Sequence, residues 1–359
     1  MLKVYQKYVI KNFFSKFLLL SLIFFLLILI LSSLEEISFT EDADVSFIFP
    51  YYLTFLNAPI TLFEIFPFIF LLTSQFVFYD LIKKDELSLL KVNGLDNFKI
   101  IKIIFFIALF IGIINITFYY HLASNLKFHY SNLKNNLSND NKFLAMVTNS
   151  GLWIKDETGN KKLIIKSKFI KDDLIIDNII NEFDSDFKLI RVIQSKKIDI
   201  KTNEWIIYDP IITENNSTTK GEAKILFSTN FNYETINNIF SNVSTLDFEK
   251  LFKLKKDFEK FGYSTTEIFI HLSKLFTTPI IYGILSVISS ILMLRTSKQI
   301  SIFYYISSGF LLSVFIYYIM FFFSSLANNG TIPVIMSFGF PIVILTIISI
   351  MGLISIHEK

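Results

Sequence analysis

Hydrophobic residues along the chain fall into six long runs, three on each side of a polar stretch of about 140 residues. Each run is long enough to cross a bilayer, because a helix rises 1.5 Å per residue and the hydrocarbon core is about 30 Å thick. The runs occupy residues 13–34, 51–79, 101–122, 266–294, 300–325 and 333–355. No small-residue cleavage site follows the first run, so the pattern predicts an uncleaved span and not a signal peptide. Pro59 and Pro67 interrupt the second run, where we expect kinks.

The polar stretch between the third and fourth runs has the short alternating pattern of β-strands. Residues 151–170 contain two β-rich segments around a turn signal at Asp156–Asn160, and residues 178–200 predict a hairpin about Asp184–Asp186. A proline in residues 204–213 suits an edge strand or a bulge. Short strands spaced in this way predict an all-β sandwich or jelly-roll-like domain. The predicted fold class is therefore a membrane α-helical protein of six transmembrane helices (3+3) with an inserted all-β, jelly-roll-like domain.

An amphipathic helix is predicted between the β domain and the fourth run. Leu251, Leu254, Phe258 and Phe261 fall at helical spacing within residues 246–261, and Gly262 is a plausible end. The resulting domain plan assigns membrane helices 1–3, with a short charged helix at about 81–94, to residues 1–125. It assigns the β domain to residues 126–245, the connecting helix to 246–265 and membrane helices 4–6 to 266–359.

Composition agrees with a chain that lies partly in lipid and partly in water. Hydrophobic residues make up 52% and charged residues 18% of the chain. The absence of cysteine excludes disulfides, thiolate metal sites and cysteine nucleophiles. The net charge of +3 argues neither for nor against nucleic acid, but the lysines fall at membrane edges and form no basic stripe. We therefore predict no nucleic-acid partner.

The distribution of lysine and arginine predicts the orientation in the membrane. The first end of the chain and the loops after the second and fourth runs contain several of these residues, whereas residues 35–50 and 326–332 contain none. Positive loops stay on the cytoplasmic side. Both termini and residues 80–100 are therefore predicted to be cytoplasmic, and the β domain is predicted to be periplasmic.

A search for catalytic chemistry finds no motif. The chain has neither a phosphate-binding loop of the form G-x-x-x-x-G-K-[ST] nor a G-x-S-x-G elbow, and its four histidines lack the spacing of metal ligands. Glu64 lies inside the second run, where a carboxylate is either functional or close enough to the outer face to stay wet. Lys274, one turn into the fourth run beside His271, is more easily explained by snorkelling to the interface than by a buried role. No catalytic residue, metal or directly bound cofactor is predicted.

The charged stretch at residues 80–100 predicts a short helix with an apolar side. Leu87 and Leu90 form that side, with Leu89 as an optional third member. Asn93–Gly94 ends the helix, and Asp96 caps the next one. One interpretation is an interfacial helix that lies on anionic lipid. The acidic residues Asp85 and Glu86 oppose that interpretation and favour docking into a groove on a cytosolic protein.

Four segments, in this order, resemble the lipopolysaccharide export permeases LptF and LptG. They are "FPFIFLL" followed by "DELSLLKVNGLD", "GLWIKDETGN", "FEKFGYSTTEIFIHLSKLFTTPI" and "NGTIPVIMSFGFP". The resemblance covers almost the whole chain and is closest to LptG. It implies a multi-pass inner-membrane permease that pairs with an LptF-like permease over two copies of an LptB-like ATPase. LptC- and LptA-like periplasmic proteins would receive the lipopolysaccharide, and ATP and Mg²⁺ would be bound by the ATPase.

The resemblance also implies roles for particular residues. An ATPase-coupling helix would comprise Asp85, Glu86, Leu87, Leu89, Leu90 and Gly94. A substrate path would include Phe24, Leu27, Ile30, Glu64, Lys274, Phe310 and Phe315, since acyl chains need an apolar wall. Trp153 would mark the entry to the jelly-roll.

One region departs from the family pattern. LptG proteins often have lysines at the outer end of the first span, whereas this chain has "SSLEEISFTEDADVSF", which would repel lipid phosphates. Divalent cations, a partner permease or a glycolipid with fewer phosphates would each resolve the conflict. Two alternative functions also remain open. One is a membrane-bound enzyme acting on lipid through Glu64, His271 or Lys274, and the other is the permease of a different ATP-driven complex.

Overall fold

The computed structural model describes residues 3–41, 45–137, 152–158, 161–171, 173–214, 217–233, 236, 243–261, 264–295 and 302–357. The chain separates into two compact units, a helical unit of residues 1–127 and 266–359 and a second unit of residues 128–265 that contains the β-sheet. The helices are α1 (Val4–Thr40), α2 (Phe49–Lys83), α3 (Glu86–Val92), α4 (Asn97–Ile114), α5 (His121–Leu137), α6 (Phe248–Phe261), α7 (Thr266–Arg295), α8 (Ile302–Asn328) and α9 (Met336–His357).

The six predicted spans are confirmed as helices long and apolar enough to cross a membrane. They are α1, α2, the continuous α4–α5 stretch, α7, α8 and α9, and several extend past the apolar runs. The Lys3 backbone N–H donates to Gln6 Oε1 at 2.9 Å, which supports the start of α1 in a polar segment. A π-helical turn at Asn115–Tyr120 joins α4 to α5, so the third helix continues well beyond residue 122.

Helices α2 and α7 form the centre of the helical unit. Phe70 of α2 stacks on Tyr282 of α7, with ring centroids 4.3 Å apart, and Phe17 of α1 packs on Phe70 at 4.9 Å. A Cβ atom at Gly112 would lie 2.8 Å from Pro279 Cα, so only glycine permits this approach of α4 to α7. The three helices α1, α8 and α9 expose most of their apolar side chains, as expected of helices that face lipid or another subunit.

The β unit contains one antiparallel sheet. Its strands are β1 (Leu152–Thr158), β2 (Lys161–Lys171), β3 (Leu174–Phe183), β4 (Leu189–Asp199), β5 (Glu204–Tyr208), β6 (Ile211–Glu214), β7 (Ser217–Lys220) and β8 (Lys224–Ser228). The sheet order is β1-β2-β3-β4-β5-β8, and β6 pairs with both β4 and β7. This all-β insertion between the third and fourth spans confirms the predicted fold class.

A crease crosses β2, β3 and β4 at Lys168, Asp177 and Lys196 and continues to Asp209 at the junction of β5 and β6. These residues interrupt otherwise continuous ladders, and both aspartates have left-handed backbones, with φ of 52° and 43°. On β4 the buried positions change from odd to even numbers across this line, from Ser195 to Ile198. Each strand therefore uses one extra residue at the crease, and the same side of the sheet stays buried in both halves.

The turn predictions agree with the sheet in most details. The hairpin about Asp184–Asp186 is confirmed, with Asp184 Oδ1 accepting from the backbone N–H groups of Asp186 at 2.9 Å and Lys188 at 2.8 Å. Asp156 belongs to β1 and pairs with Leu163, so the first turn is shorter than predicted, and its remaining residues Gly159 and Asn160 lie outside the described residues.

The predictions for the proline and for the connecting helix also agree with the structure. Pro210 lies at the junction of β5 and β6, where no ladder N–H is required. The amphipathic helix is confirmed as α6, with Leu251 and Leu254 buried, while the proposed stop at Gly262 lies outside the described residues.

Candidate functional site

The charged stretch after α2 folds as a short helix with defined ends. Asp85 has a left-handed backbone (φ 57°) between α2 and α3. At the other end, Gly94 has φ of 80°, its N–H donates to Lys91 O at 3.0 Å, and Leu95 N donates to Leu90 O at 3.1 Å. This is the Schellman arrangement, which ends a helix and needs a residue that tolerates positive φ. The predicted stop at Asn93–Gly94 is confirmed.

The next helix is capped as predicted, since Asp96 Oδ1 accepts from Lys99 N at 2.8 Å. The Asn93 side chain donates to Leu89 O at 2.7 Å and closes the last turn of α3. The C-terminal end of the short helix is therefore held by hydrogen bonds, although none of its side chains is fully buried.

Leu87 and Leu90 share one side of α3 as predicted, whereas Leu89 does not belong to it. Leu87 and Leu90 are half-buried, whereas Leu89 is 63% exposed and points away from them. Val92, which the sequence analysis did not single out, is 87% exposed. Leu89 and Val92 are three residues apart and so lie on the same helix face. That spacing was the available signal, and it defines an outward apolar face of α3.

Polar contacts connect α3 and the end of α2 to α1. The Tyr8 hydroxyl donates to Glu86 Oε2 at 2.6 Å. Lys16 Nζ lies 2.7 Å from Asp80 Oδ2. The sequence singled out Glu86, but it predicted neither the Tyr8–Glu86 contact nor the Lys16–Asp80 contact, because the residues of each pair are far apart along the chain. The Glu86 carboxylate is therefore held by α1 at the base of the outward face.

The structure brings together some of the predicted substrate-path residues and leaves others apart. Phe24 of α1 and Phe310 of α8 both contact Phe68 of α2, with ring centroids 5.4 Å and 6.1 Å apart. The sequence analysis did not identify Phe68, which connects Phe24 and Phe310 into one aromatic row. Leu27, Ile30 and Phe315 are exposed on the surface of the helical unit.

The predicted membrane charges lie at the surface. Glu64 of α2 and Lys274 of α7 are both exposed, and neither forms an ion pair with any residue that the structure describes. His271 shares a hydrogen bond of 2.8 Å with the Tyr120 hydroxyl. An enzyme that used Glu64 or Lys274 would need a second catalytic group beside it, and the geometry supplies no such pair within the described part of the chain.

The buried side of the sheet is a ladder of isoleucines with a charged row at one end. Ile154, Ile165, Ile180 and Ile193 lie opposite one another on β1–β4 and are buried. Trp153 stands on the other side of β1, half exposed, with Lys166 Nζ 4.8 Å from the ring centroid. The side chain predicted to mark the entry thus faces away from the apolar ladder.

The charged row is built from paired groups. Asp156 is buried and accepts from Thr229 Oγ1 at 2.6 Å, Asn230 N at 3.0 Å and Asn230 Nδ2 at 2.8 Å. Glu182 is ion-paired with Lys161 and with Arg191, whose Nε lies 2.7 Å from Oε2. Burial raises the pKa of Glu182, but the hydrogen bonds from the two cations outweigh burial and lower its pKa below the usual value.

Metal binding finds no support among the described residues, which contain no group of three or more His, Cys, Asp or Glu side chains that could hold an ion. The features that stand out are therefore six long apolar helices, a short helix with an exposed apolar face and a sheet with one apolar side. None of the described arrangements holds a nucleophile beside a base.

The comparison with protein families accounts for this architecture. A search among curated proteins gave no match. The family described as lipopolysaccharide export system permease LptF/LptG matches residues 7–355, which include the β-sheet and all but the ends of the outermost spans. The match does not distinguish LptF from LptG, so the closer resemblance to LptG stays a prediction. Because the match covers nearly the whole chain, the protein belongs to the LptF/LptG family of lipopolysaccharide export permeases.

Proposed function

We propose that the chain is one permease subunit of an ATP-driven transporter. It extracts lipopolysaccharide from the outer leaflet of the inner membrane and passes it to a periplasmic bridge. It pairs with a second, LptF-like permease, and two copies of an LptB-like ATPase bind ATP and Mg²⁺ below them. Family membership supports the export role, and the geometry of α3 supports the coupling to an ATPase.

The observation that carries the coupling proposal is the outward face of α3. Leu89 and Val92 expose apolar surface on a helix of only seven residues that is capped at its C-terminal end. A short capped helix with an exposed apolar pair suits insertion into a groove on a folded protein. The Tyr8–Glu86 hydrogen bond transmits displacement of α3 to α1, which forms part of the proposed substrate path.

The proposed substrate path uses the exposed faces of α1 and α8. The aromatic row Phe24–Phe68–Phe310 joins these two faces. In a heterodimer, a second permease would close the space in front of them, and the acyl chains would contact Leu27, Ile30 and Phe315. Glu64 and Lys274 would then meet polar parts of the lipid or of the partner, since neither has an ion pair among the described residues.

The proposed orientation places both termini and α3 in the cytoplasm and the β unit in the periplasm, where it would hand the lipid to LptC- and LptA-like proteins. Acyl chains would be shielded by the isoleucine side of the sheet. Trp153, on the opposite side of β1, would mark the entry from outside and would not line this apolar side. The acidic end of α1 still requires a source of positive charge. Glu36 is buried there while Glu35 is exposed, and Asp42 and Asp44 lie outside the described residues.

A pull-down from detergent-solubilised membranes tests the coupling proposal. We expect the tagged full chain to bring down an ATPase and a second six-span protein. Arginine at both outward positions, Leu89→Arg with Val92→Arg, should reduce the ATPase at least about tenfold, because a buried interface position does not tolerate an unpaired charge.

The matched control is Leu226→Arg, which places arginine at an equally exposed leucine on β8. The control should retain the ATPase, and both proteins should retain the second permease. Recovery of the ATPase at the parental level with the α3 variant would overturn the coupling role. It would instead favour an α3 that lies on lipid.

A further inference from the structure

A groove of about 630 Å³ runs between α1 and α4 on the surface of the helical unit. Its α1 wall extends from Tyr5 to Phe14, and its α4 wall extends from Lys99 to Ile114. At 1.5 Å per residue these walls are about 14 Å and about 22 Å long. One leaflet contributes about 15 Å of hydrocarbon, so the groove begins at one membrane edge and reaches at least the depth of that leaflet.

The two ends of the groove differ in chemistry. Lys99, Lys102 and Gln6 lie at the end near the start of α4. Beyond them the α4 wall presents only isoleucine and phenylalanine, including Phe106 and Phe110, which are both more than half exposed. The order is a cationic mouth followed by an apolar channel, as a lipid with a charged headgroup requires.

The two lysines are available to a ligand. Lys102 is exposed and forms no ion pair or hydrogen bond with the residues that the structure describes. Lys99 Nζ donates to Gly94 O at 3.0 Å, a neutral acceptor that leaves its charge uncompensated. The nearest acid along the chain is Asp96, whose carboxylate already accepts the backbone N–H of Lys99. An anion at this mouth would meet two cations and no buried carboxylate among the lining residues.

We propose that this groove binds one anionic glycerophospholipid. Its phosphate lies at Lys99 and Lys102, and one acyl chain lies along Phe106 and Phe110. Lysines at a membrane edge attract anionic lipids, and their own methylene stems line the entrance. A zwitterionic lipid is disfavoured because its amine approaches the same cations. The proposed orientation places the mouth in the cytoplasmic leaflet, so the ligand is a resident lipid and not the exported glycolipid. The inference concerns a binding site that the proposed export function neither requires nor includes.

Quenching by brominated lipids tests the proposal in the full chain. The substitution Phe106→Trp places an indole in the groove. The two natural tryptophans both lie in the β unit and give a constant background, which is measured in the protein without the substitution. The protein is reconstituted in phosphatidylcholine vesicles that contain a small fixed fraction of phosphatidylglycerol. Two samples are compared, one with brominated acyl chains on phosphatidylglycerol only and one with brominated acyl chains on phosphatidylcholine only. We expect brominated phosphatidylglycerol to quench the introduced indole roughly 25-fold more per molecule than brominated phosphatidylcholine, since each of the two lysines near the surface contributes about a fivefold factor.

Three further variants make the result specific. Lys99→Gln with Lys102→Gln should bring the ratio close to one. Lys7→Gln removes an exposed lysine of α1 that does not line the groove and should preserve the preference. Phe321→Trp on α8 reports the ordinary lipid shell and should show no preference. A ratio of one in the parent, a preference that survives loss of both lysines, or an indole that neither lipid quenches would each overturn the proposal. The last of these would show that protein covers the groove.

Discussion

The buried carboxylates of the β unit and a buried amide of the helical unit differ in their pairing. In the β unit, Asp156 accepts three hydrogen bonds and Glu182 is ion-paired with two cations. In the helical unit, neither atom of the Gln75 amide has a hydrogen-bond partner among the described residues. The buried hydroxyls of Thr73 and Ser286 likewise have none in that part of the chain. These five side chains are all buried, so they differ in their hydrogen-bond partners and not in their exposure to solvent.

The difference follows from the solvent around each unit. In water an unpaired buried group costs its full hydration, and the cost is greatest for a charge, so the buried carboxylates of the sheet are paired even though Ser167 Oγ and Asn178 Oδ1 have no partner among the described residues. Helices in lipid gain little from hydrophobic contact with one another, and small or polar residues serve to bring backbones close. Gln75 lies at such a contact, because a Cβ at Gly309 of α8 would be 2.7 Å from its Oε1. The hydrogen bonds and ion pairs hold Asp156 and Glu182 in one geometry, whereas the Gln75 amide contributes no hydrogen bond that would fix the α2–α8 contact.

The largest expected effect comes from removing a fixed pair in the sheet. Asp156→Ala should lower the free energy of unfolding of the β unit by roughly 3 kcal/mol, because it leaves the buried Thr229 hydroxyl and the Asn230 amide without their acceptor. Both tryptophans of the chain lie in this unit, so urea unfolding of the full chain in detergent can be followed by tryptophan fluorescence.

Glu204→Ala is the control for this measurement, since it removes an exposed carboxylate from β5. Its midpoint should stay within experimental error of the parent. If Asp156→Ala shifted the midpoint no more than Glu204→Ala, loss of the Asp156 hydrogen bonds would cost the sheet nothing, and the comparison would fail.

A smaller effect is expected from pH. The pKa of Glu182 is lower in the folded protein than its ordinary value of 4.5, so the unfolded chain binds more protons as the pH falls. The stabilisation is therefore fully present above about 4.5 and is lost as the pH drops through the folded pKa. Lys161 and Arg191 are partly exposed, so solvent screening limits the contribution to about 1 kcal/mol.

The same fluorescence-detected unfolding checks this slope between neutral and acidic pH. Glu182→Gln should remove the excess loss of stability on acidification, while other carboxylates continue to contribute a shallower decline. An identical slope in the parent and in Glu182→Gln would show that the two cations do not hold this carboxylate in the folded protein.

The parts of this fold that sequence could predict are those with a local cause. Long apolar runs predict spans because only a helix satisfies its backbone in lipid, and the Asp184–Asp186 turn was found because aspartate side chains bond their own backbone. The end of α3 was found for a similar reason, since Gly94 supplies the positive φ that the stop needs.

The parts that sequence could not predict depend on residues far apart in the chain. The Tyr8–Glu86 bond joins residues 78 positions apart, and Phe68 gains meaning only between Phe24 and Phe310. The crease needs positive φ at Asp177 and Asp209, which aspartate tolerates but does not require, so composition carries little signal for it. Leu89 was grouped with Leu87 and Leu90 because a seven-residue helix is too short for its period to be read reliably.

The smallest expected effect is also the most direct test of the helical side of the comparison. Gln75→Met keeps the length of the side chain and removes both unpaired atoms, so thermal stability in detergent should be unchanged or raised by up to about 1 kcal/mol. Ser289→Ala is the matched control on the facing helix, because the Ser289 hydroxyl donates to Leu71 O at 2.7 Å and its loss should cost about 0.6 kcal/mol. The melting temperature of Gln75→Met should therefore be clearly higher than that of Ser289→Ala. A loss on Gln75→Met as large as that on Ser289→Ala would show that the amide has a partner in the membrane, either water or another subunit. In that case the buried amide of the helical unit would be hydrogen-bonded, as the buried carboxylates of the sheet are, but its partner would be a molecule outside this chain.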